Sequence, residues 1–233
     1  MDLLATIPLL VIFTGIGLSY TRIIPAIAGF ILSVLGVLIG LGCSITLLLT
    51  GASWGLAGMA ALPFIVAVPM ALNGLRYPVL NDVTTDLKNP PAFEAAAQAR
   101  PNQNRDMSYP ESFGPIIRKA YPDVRPLVVD ESPNDLFRRV EKFAKNQPGW
   151  EMTDRDPKNR TMECEVTSSV FRFVDDLVIR VSNQDTRTRL DLRSKSRDGL
   201  GDLGANAKRI ERFLRQLVSD PGHPGQHSKI KSS

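Results

Sequence analysis

Between Leu3 and Leu75 the chain carries one charged side chain, Arg22. Water does not solvate that much hydrocarbon, and in lipid each backbone polar group must pair internally, so helices are the expected form. Three segments can be drawn. Residues 3–19 number about 17, the lower limit for a span. Residues 23–49 number about 27, enough to cross with tilt. Residues 54–75 number about 22. Arg22 separates the first two, and the uncharged stretch 50–53 turns between the second and third. Tyr20, Trp54 and Tyr77 fall at the ends, where amphipathic rings favour the headgroup region. Pro63 and Pro69 each remove a backbone donor and are expected to kink the third helix. Gly36 and Gly40 form a small-xxx-small pair that lets another helix approach closely. Glycine is also common in membrane helices without any such role.

The 233-residue average, with 28 Lys+Arg against 24 Asp+Glu and a formal charge of +4, looks soluble and hides two unlike halves. Before Arg76 the only charges are Asp2 and Arg22. The expected division is a transmembrane region 1–76, a proline-rich extended connector 77–123, an α+β core 124–219 and a disordered tail 220–233. The soluble half is long enough for one core. It lacks basic runs interleaved with aromatics, so nucleic acid is not an expected partner. Cys43 and Cys164 lie in different halves, which argues against an intramolecular disulfide. Residues 1–20 lack the basic start and A-x-A site of a cleaved signal. Gly42-Cys43 only loosely imitates a lipoprotein signal, with Gly40 where a larger aliphatic residue is expected.

Eight prolines between 78 and 126 stop regular elements, and only residues 92–100 leave room for a short helix. Residues 124–130 read as a strand. Ser132-Pro133-Asn134-Asp135 is a helix start, with Ser at the N-cap and Pro at the first position. Leu136, Val140 and Phe143 continue it at helical spacing until Pro148-Gly149. Strands are expected at 150–154, 161–168, 175–183 and 186–196, the last three with apolar residues alternating along the strand, Val178 being an exception on the polar side. A final helix over 202–218 carries the apolar stripe Leu203, Ala207, Ile210, Leu214 and Leu217. The fold class is α+β: three transmembrane helices, then an antiparallel sheet covered by two helices in the order β-α-β-β-β-β-α.

No catalytic or metal constellation stands out, and neither a cofactor nor a metal is expected. His223 and His227 both fall in the tail, where a general base would lack fixed geometry. Cys164 alternates with core residues and reads as a buried thiol. Asp175 and Asp176 are strand neighbours that point to opposite faces, so they cannot act as a pair. Asp82 and Asp86 read as turn or capping residues. Arg187, Arg189, Arg193, Lys195 and Arg197 share one face of the last strand, with Asp191 among them. Glu163, Glu165 and Asp176 lie on corresponding faces of other strands. Ion pairs on a solvated face explain this pattern, and an anion or lipid headgroup site is the alternative. Gly199, Gly201 and Gly204 run into a helix start, with Asp202 as a cap and Asn206 packing back on the loop.

Several blocks resemble one family. Asn81-Asp82-Val83-Thr84-Thr85-Asp86 followed by Pro90-Pro91-Ala92-Phe93 is similar to the opening motif of the bacterial domain of unknown function 1499. Ala120-Tyr121-Pro122-Asp123 resembles its next block. Phe171-Arg172-Phe173-Val174-Asp175-Asp176 and Ser194-Lys195-Ser196-Arg197, followed by Asp202-Leu203-Gly204-Ala205-Asn206, resemble its last two. The likeness covers about residues 77–217 and transfers no activity. It implies an extracytoplasmic domain, because relatives often carry export signals or several membrane helices. The positive-inside rule, applied to Arg22 and Arg76, implies a cytoplasmic one.

The expected protein is therefore a multi-pass inner-membrane protein with a non-catalytic, envelope-associated binding domain. Its partners would be the bilayer and either an anionic lipid or a membrane or envelope protein; the two arguments leave the side of the soluble domain open, and the family resemblance tilts it to the periplasm. The candidate binding residues are Arg172, Asp176, Arg180, Arg189, Arg193, Lys195 and Arg197. The alternatives are an enzyme with an acid and arginine site around Arg172, Asp176, Arg180 and Arg197, and an assembly factor of a membrane complex.

Overall fold

A computed structural model describes residues 2–220. The tail expected to be disordered, with both histidines, lies outside the described residues except for Asp220. The chain forms two compact units, Met1–Tyr77 with Ser168–Phe173, and Pro78–Thr167 with Val174–Ser233.

The first unit holds α1 (Leu3–Tyr20), α2 (Ala26–Leu49) and α3 (Trp54–Gly74). Each is long and apolar enough to cross a membrane. Asp2 and Ser53 cap α1 and α3, accepting from the backbone N–H of Leu4 at 3.0 Å and Leu56 at 3.4 Å. Ile23 and Ile24, expected within the second helix, precede it because Pro25 biases the residue before it away from helical geometry. α3 continues through both Pro63 and Pro69.

Gly29, Ser33, Gly36, Gly40 and Ser44 are all buried along one face of α2. A Cβ on Gly36 would lie 2.6 Å from Cγ1 of Ile12, and one on Gly40 would lie 2.6 Å from the Ala60 carbonyl oxygen. The small-residue pair thus serves close packing inside the chain, against α1 at Gly36 and α3 at Gly40. The loop Ser168–Phe173 belongs to this unit as well. Ser19 Oγ donates to the Phe171 carbonyl at 2.6 Å, and the rings of Phe30 and Phe171 meet edge-on at 5.4 Å.

The second unit is built on one antiparallel sheet of β1 (Asp82–Thr84), β2 (Leu127–Val129), β3 (Trp150–Asp156), β4 (Thr161–Thr167), β5 (Val174–Gln184) and β6 (Arg187–Ser196). The order is β1-β6-β5-β4-β3, and β2 shares the β6 edge with β1. β1 lies opposite Arg193, Ser194 and Lys195, and β2 opposite Thr188, Arg189 and Leu190. Four short or medium helices follow in chain order: α4 (Ala95–Gln98), α5 (Phe113–Ala120), α6 (Pro133–Lys145) and α7 (Ala205–Ser219).

The α+β class and the antiparallel sheet stand as the alternating patterns imply, with three additions in the proline-rich stretch. β1 is a strand the sequence pattern did not suggest. α4 is shorter than the expected 92–100, and a 3-10 turn, Arg100–Asn102, follows it. α5 forms where prolines argued against any helix. Pro115 sits in its first turn, where a missing N–H has no helical partner to lose. Ile117 from α5 is fully buried.

The sheet has two covered faces. Met162, Cys164, Val166, Leu177, Ile179, Val181, Leu190 and Leu192 are buried on the side of α6 and α7, with Leu136, Val140, Ile210 and Leu217. The α6 N-cap is as read: Ser132 Oγ accepts from the Asp135 N–H at 3.2 Å. Phe213 of α7 stacks on Trp150 at 5.0 Å and meets Phe143 of α6 at 5.1 Å, so one aromatic group joins both helices to the start of β3. The opposite face is covered by the proline-rich arm. There Phe93 and Ala96 pack on Val178.

Gly36→Leu is expected to lower the stability of the helical unit by roughly 1–3 kcal/mol through overpacking. Gly42→Leu is expected to be near neutral, because nothing lies within 4 Å of a Cβ there. Unfolding of the full chain in mixed detergent micelles measures both.

Candidate functional site

The basic residues in the second half of β6 are not on a solvated face, although Arg187 at its start is exposed and Arg189 half-buried. Arg193 and Lys195 are 2% and 5% exposed, and Asp82, Asp176 and Asp191 are at most 1% exposed. The solvated reading is corrected because the arm lies over them. Period-2 alternation separates two faces, but it does not tell which of them meets water.

Asp82 is at the centre of this layer. Arg193 reaches it with two parallel bonds, Nε to Oδ1 at 2.9 Å and Nη2 to Oδ2 at 2.7 Å. Lys195 Nζ donates to the same Oδ2 at 3.0 Å. The Arg193 guanidinium also donates to the carbonyls of Pro91 at 3.1 Å and Met107 at 2.9 Å. Its planar face lies 4.7 Å from the centre of the Phe93 ring and 5.5 Å from that of Tyr109. Burial, with Asp82 adding to it, pushes the Tyr109 hydroxyl up to about 12. Asp82 is therefore an ion-pair anchor rather than the turn residue expected.

Two further groups flank it. Asp176 accepts from Arg197 and from Asn102 Nδ2 at 2.9 Å, while Arg197 also reaches Glu165. Burial works against the Arg197 charge, but the Asp176 and Glu165 carboxylates outweigh it and hold its proton more tightly than usual. Arg180 and Arg189 share Asp86 and Asp191, with Arg180 Nη2 at 3.1 Å from Asp86 and Arg189 Nε at 2.7 Å from Asp191. Asp86 keeps the expected turn role too, accepting from the N–H groups of Lys88 and Asn89. Glu163 accepts three N–H groups, from Glu94 at 2.6 Å, Ala95 at 3.0 Å and Ala96 at 2.7 Å, so a buried carboxylate caps α4.

The proposed acid and arginine constellation is divided. Arg172 belongs to the first unit, with its guanidinium 5.6 Å from the Tyr20 ring centre. Asp176 with Arg197, and Arg180 with Asp86 and Asp191, are separate ion-pair groups four residues apart along β5, about 13 Å at strand rise. Asp175, as expected, points to the other face and pairs with Arg209 of α7.

That other face holds a second polar cluster under the start of α7. Ser194 Oγ donates to Asn206 Oδ1 at 2.7 Å, and Asn206 Nδ2 donates to Ser196 Oγ at 3.0 Å. The Asn81 carbonyl accepts from the Ser196 N–H at 2.8 Å. Asp202 accepts from the N–H groups of Gly204 at 2.8 Å and Asn206 at 2.7 Å, the capping role read from the sequence. Burial raises its carboxyl above the ordinary value, against the pull of those two donors. Gly204 itself adopts φ 79°, a left-handed geometry that favours glycine.

The remaining motif residues are also placed. Thr84 Oγ1 donates to the Leu192 carbonyl at 3.3 Å, and Thr85 Oγ1 donates to Asp191 at 3.1 Å. Tyr121 is buried at the end of α5, just before Pro122, and Pro90 precedes the Arg193 acceptor Pro91. Leu203 is exposed. Cys164 is buried, and burial, with Glu163 adding to it, raises its thiol to about 12, so almost no thiolate is present near neutral pH. Among the described residues no group of three His, Cys, Asp or Glu side chains is placed to hold a metal ion. Asn102 and Arg105 belong to the charge layer and were missed by sequence reasoning. Arg105 Nη1 donates to Asn102 Oδ1 at 2.7 Å. Both lie in the polar stretch 101–108, whose composition is that of an ordinary loop.

Asp82→Asn leaves Arg193 and Lys195 without their shared carboxylate and is expected to cost roughly 3–5 kcal/mol. Arg138→Ala removes a pair whose partners are 70% and 55% exposed, and is expected to cost less than about 1 kcal/mol. Denaturant unfolding of the full chain in detergent separates the two.

No curated protein matches the chain. A family model described as protein of unknown function (DUF1499) matches residues 82–217, more than half of the 233. The match begins at the Asp82 anchor and ends at Leu217 of α7, so it spans the arm, the charge layer and both covering helices. On that span the chain belongs to the DUF1499 family, with three apolar helices, each long enough to cross a membrane, ahead of the family domain.

Proposed function

We propose that this is a multi-pass protein of a bacterial inner membrane whose family domain is a non-catalytic binding module for a membrane or envelope protein, held on the periplasmic side. The observation that carries this reading is where the charges of the sheet and of the strand β1 segment go. Asp82, Asp86, Asp175, Asp176, Asp191, Arg180, Arg189, Arg193, Lys195 and Arg197 are all paired with one another or with Arg209 and Glu165. Side chains committed in this way hold the domain's shape, which leaves the work of recognition to its outer surface. The tether supports the same reading, because a domain that begins directly after a span meets partners confined to the same membrane.

The test uses intact cells and the full chain. A photo-crosslinking residue in place of Lys142, Glu151 or Lys158, all exposed, is expected to trap one discrete protein adduct from at least one position. Alkaline phosphatase fused after the last residue is expected to be active. The absence of any adduct at all three positions rejects the binding module, and an inactive phosphatase beside a fluorescent cytoplasm-only fusion rejects the side.

A further inference from the structure

Among the described residues of the second unit, the most exposed large apolar side chains gather in one place. Val79 is 72% exposed, Leu200 83% and Leu203 63%, whereas Ile116 and Val218 elsewhere on the domain are 40% and 43% exposed. Two hydrogen bonds hold the loop that carries Leu200 and Leu203 onto the segment that carries Val79. The Asp202 N–H donates to the Leu80 carbonyl at 2.9 Å, and Asn81 Nδ2 donates to the Gly199 carbonyl at 3.2 Å. The contact is close enough that a Cβ on Gly201 would lie 3.2 Å from Cγ1 of Val79. Leu203 is held at φ 53°, which is uncommon for a bulky residue, and its side chain is left outward.

Covalent reach says what covers this patch. α3 ends at Gly74, and Val79 follows five residues later, so it lies within roughly 17 Å of the end of a membrane-spanning helix even if fully extended. Tyr77, in between, is a residue type that favours the headgroup region. The only acid between Leu200 and Leu203, Asp202, is turned inward onto the α7 backbone and does not face outward with the leucines. An apolar cluster tethered within that distance of a span is within reach of the membrane interface, where apolar side chains are buried among headgroups and acyl chains.

We propose that Leu200, Leu203 and Val79 form a membrane-dipping patch that inserts into the lipid interface beside the exit of α3. It takes the lipid surface itself and needs no particular headgroup. This goes beyond the binding-module reading and does not depend on it. A module with any partner, or an enzyme, would be held against the bilayer in the same way.

The experiment uses the full chain with Cys43→Ser, reconstituted at low protein-to-lipid ratio in phosphatidylcholine vesicles. Cys164 stays in place, because its buried thiol is unreactive near neutral pH. An environment-sensitive fluorophore is attached at Leu200→Cys, at Val79→Cys or, as a control, at Lys158→Cys in the exposed β3–β4 turn. Lipids with a nitroxide near the headgroup are expected to quench the first two labels several-fold more than the control, with emission shifted to the blue. Quenching at both positions no greater than at Lys158→Cys overturns the proposal. So does a blue shift without lipid quenching, which would mean that protein covers the patch. The use of two positions guards against local distortion by either substitution, and neither outcome depends on the side of the membrane or on a trapped adduct.

Discussion

The soluble fold turns on one fully buried carboxylate. Asp82 lies between the Arg193 guanidinium and the Lys195 ammonium, with none of its surface reaching water. Removing three charges from water is costly, and only close, well-oriented pairing offsets it. The sheet face is therefore viable only when the arm is in place, because the arm brings the carboxylate. The reverse also holds, since the arm is proline-rich and has little regular structure with which to hold itself. Arm and sheet must order together.

The same logic extends across the face. Glu163 takes up the N–H groups that begin α4, Asp176 takes Asn102, and Arg180 reaches the Asn89 carbonyl at 2.8 Å. Each contact joins a sheet charge to a particular point on the arm. Each of these contacts ties the arm to the sheet at a fixed position, and setting register is the best-attested use of buried charge. On the opposite face, Ser194, Ser196, Asn206 and Asp175 with Arg209 fix the start of α7 in the same manner. Residues 81–86, 90–93, 175–176, 194–197 and 202–206, far apart in the chain, meet in these two layers, whereas Phe171 and Arg172 belong to the helical unit.

Much of this was legible in the residues. β4 to β6, α6 and α7 follow from alternation and helical spacing, and the Ser132 and Asp202 caps from side-chain chemistry near a helix start. The arm was not. α5 has Pro115 near its start and too few residues for a periodic signal. β1 is three residues long and exists because it pairs with β6. The basic stripe on β6 was visible as a stripe, but its burial was not, since alternating polar residues look the same whether water or another segment lies above them.

The sequence alone determines the membrane tract, because hydropathy is a local property and lipid leaves helix as the only form for such a run. It also determines which strand residues share a face, since that follows from backbone geometry at each residue. Tertiary structure decides what those faces meet. Asp82 and Arg193 are 111 residues apart, and no local pattern joins them. Their pairing is selected by the energy of the whole assembled layer, in which every buried charge must find its partner at once.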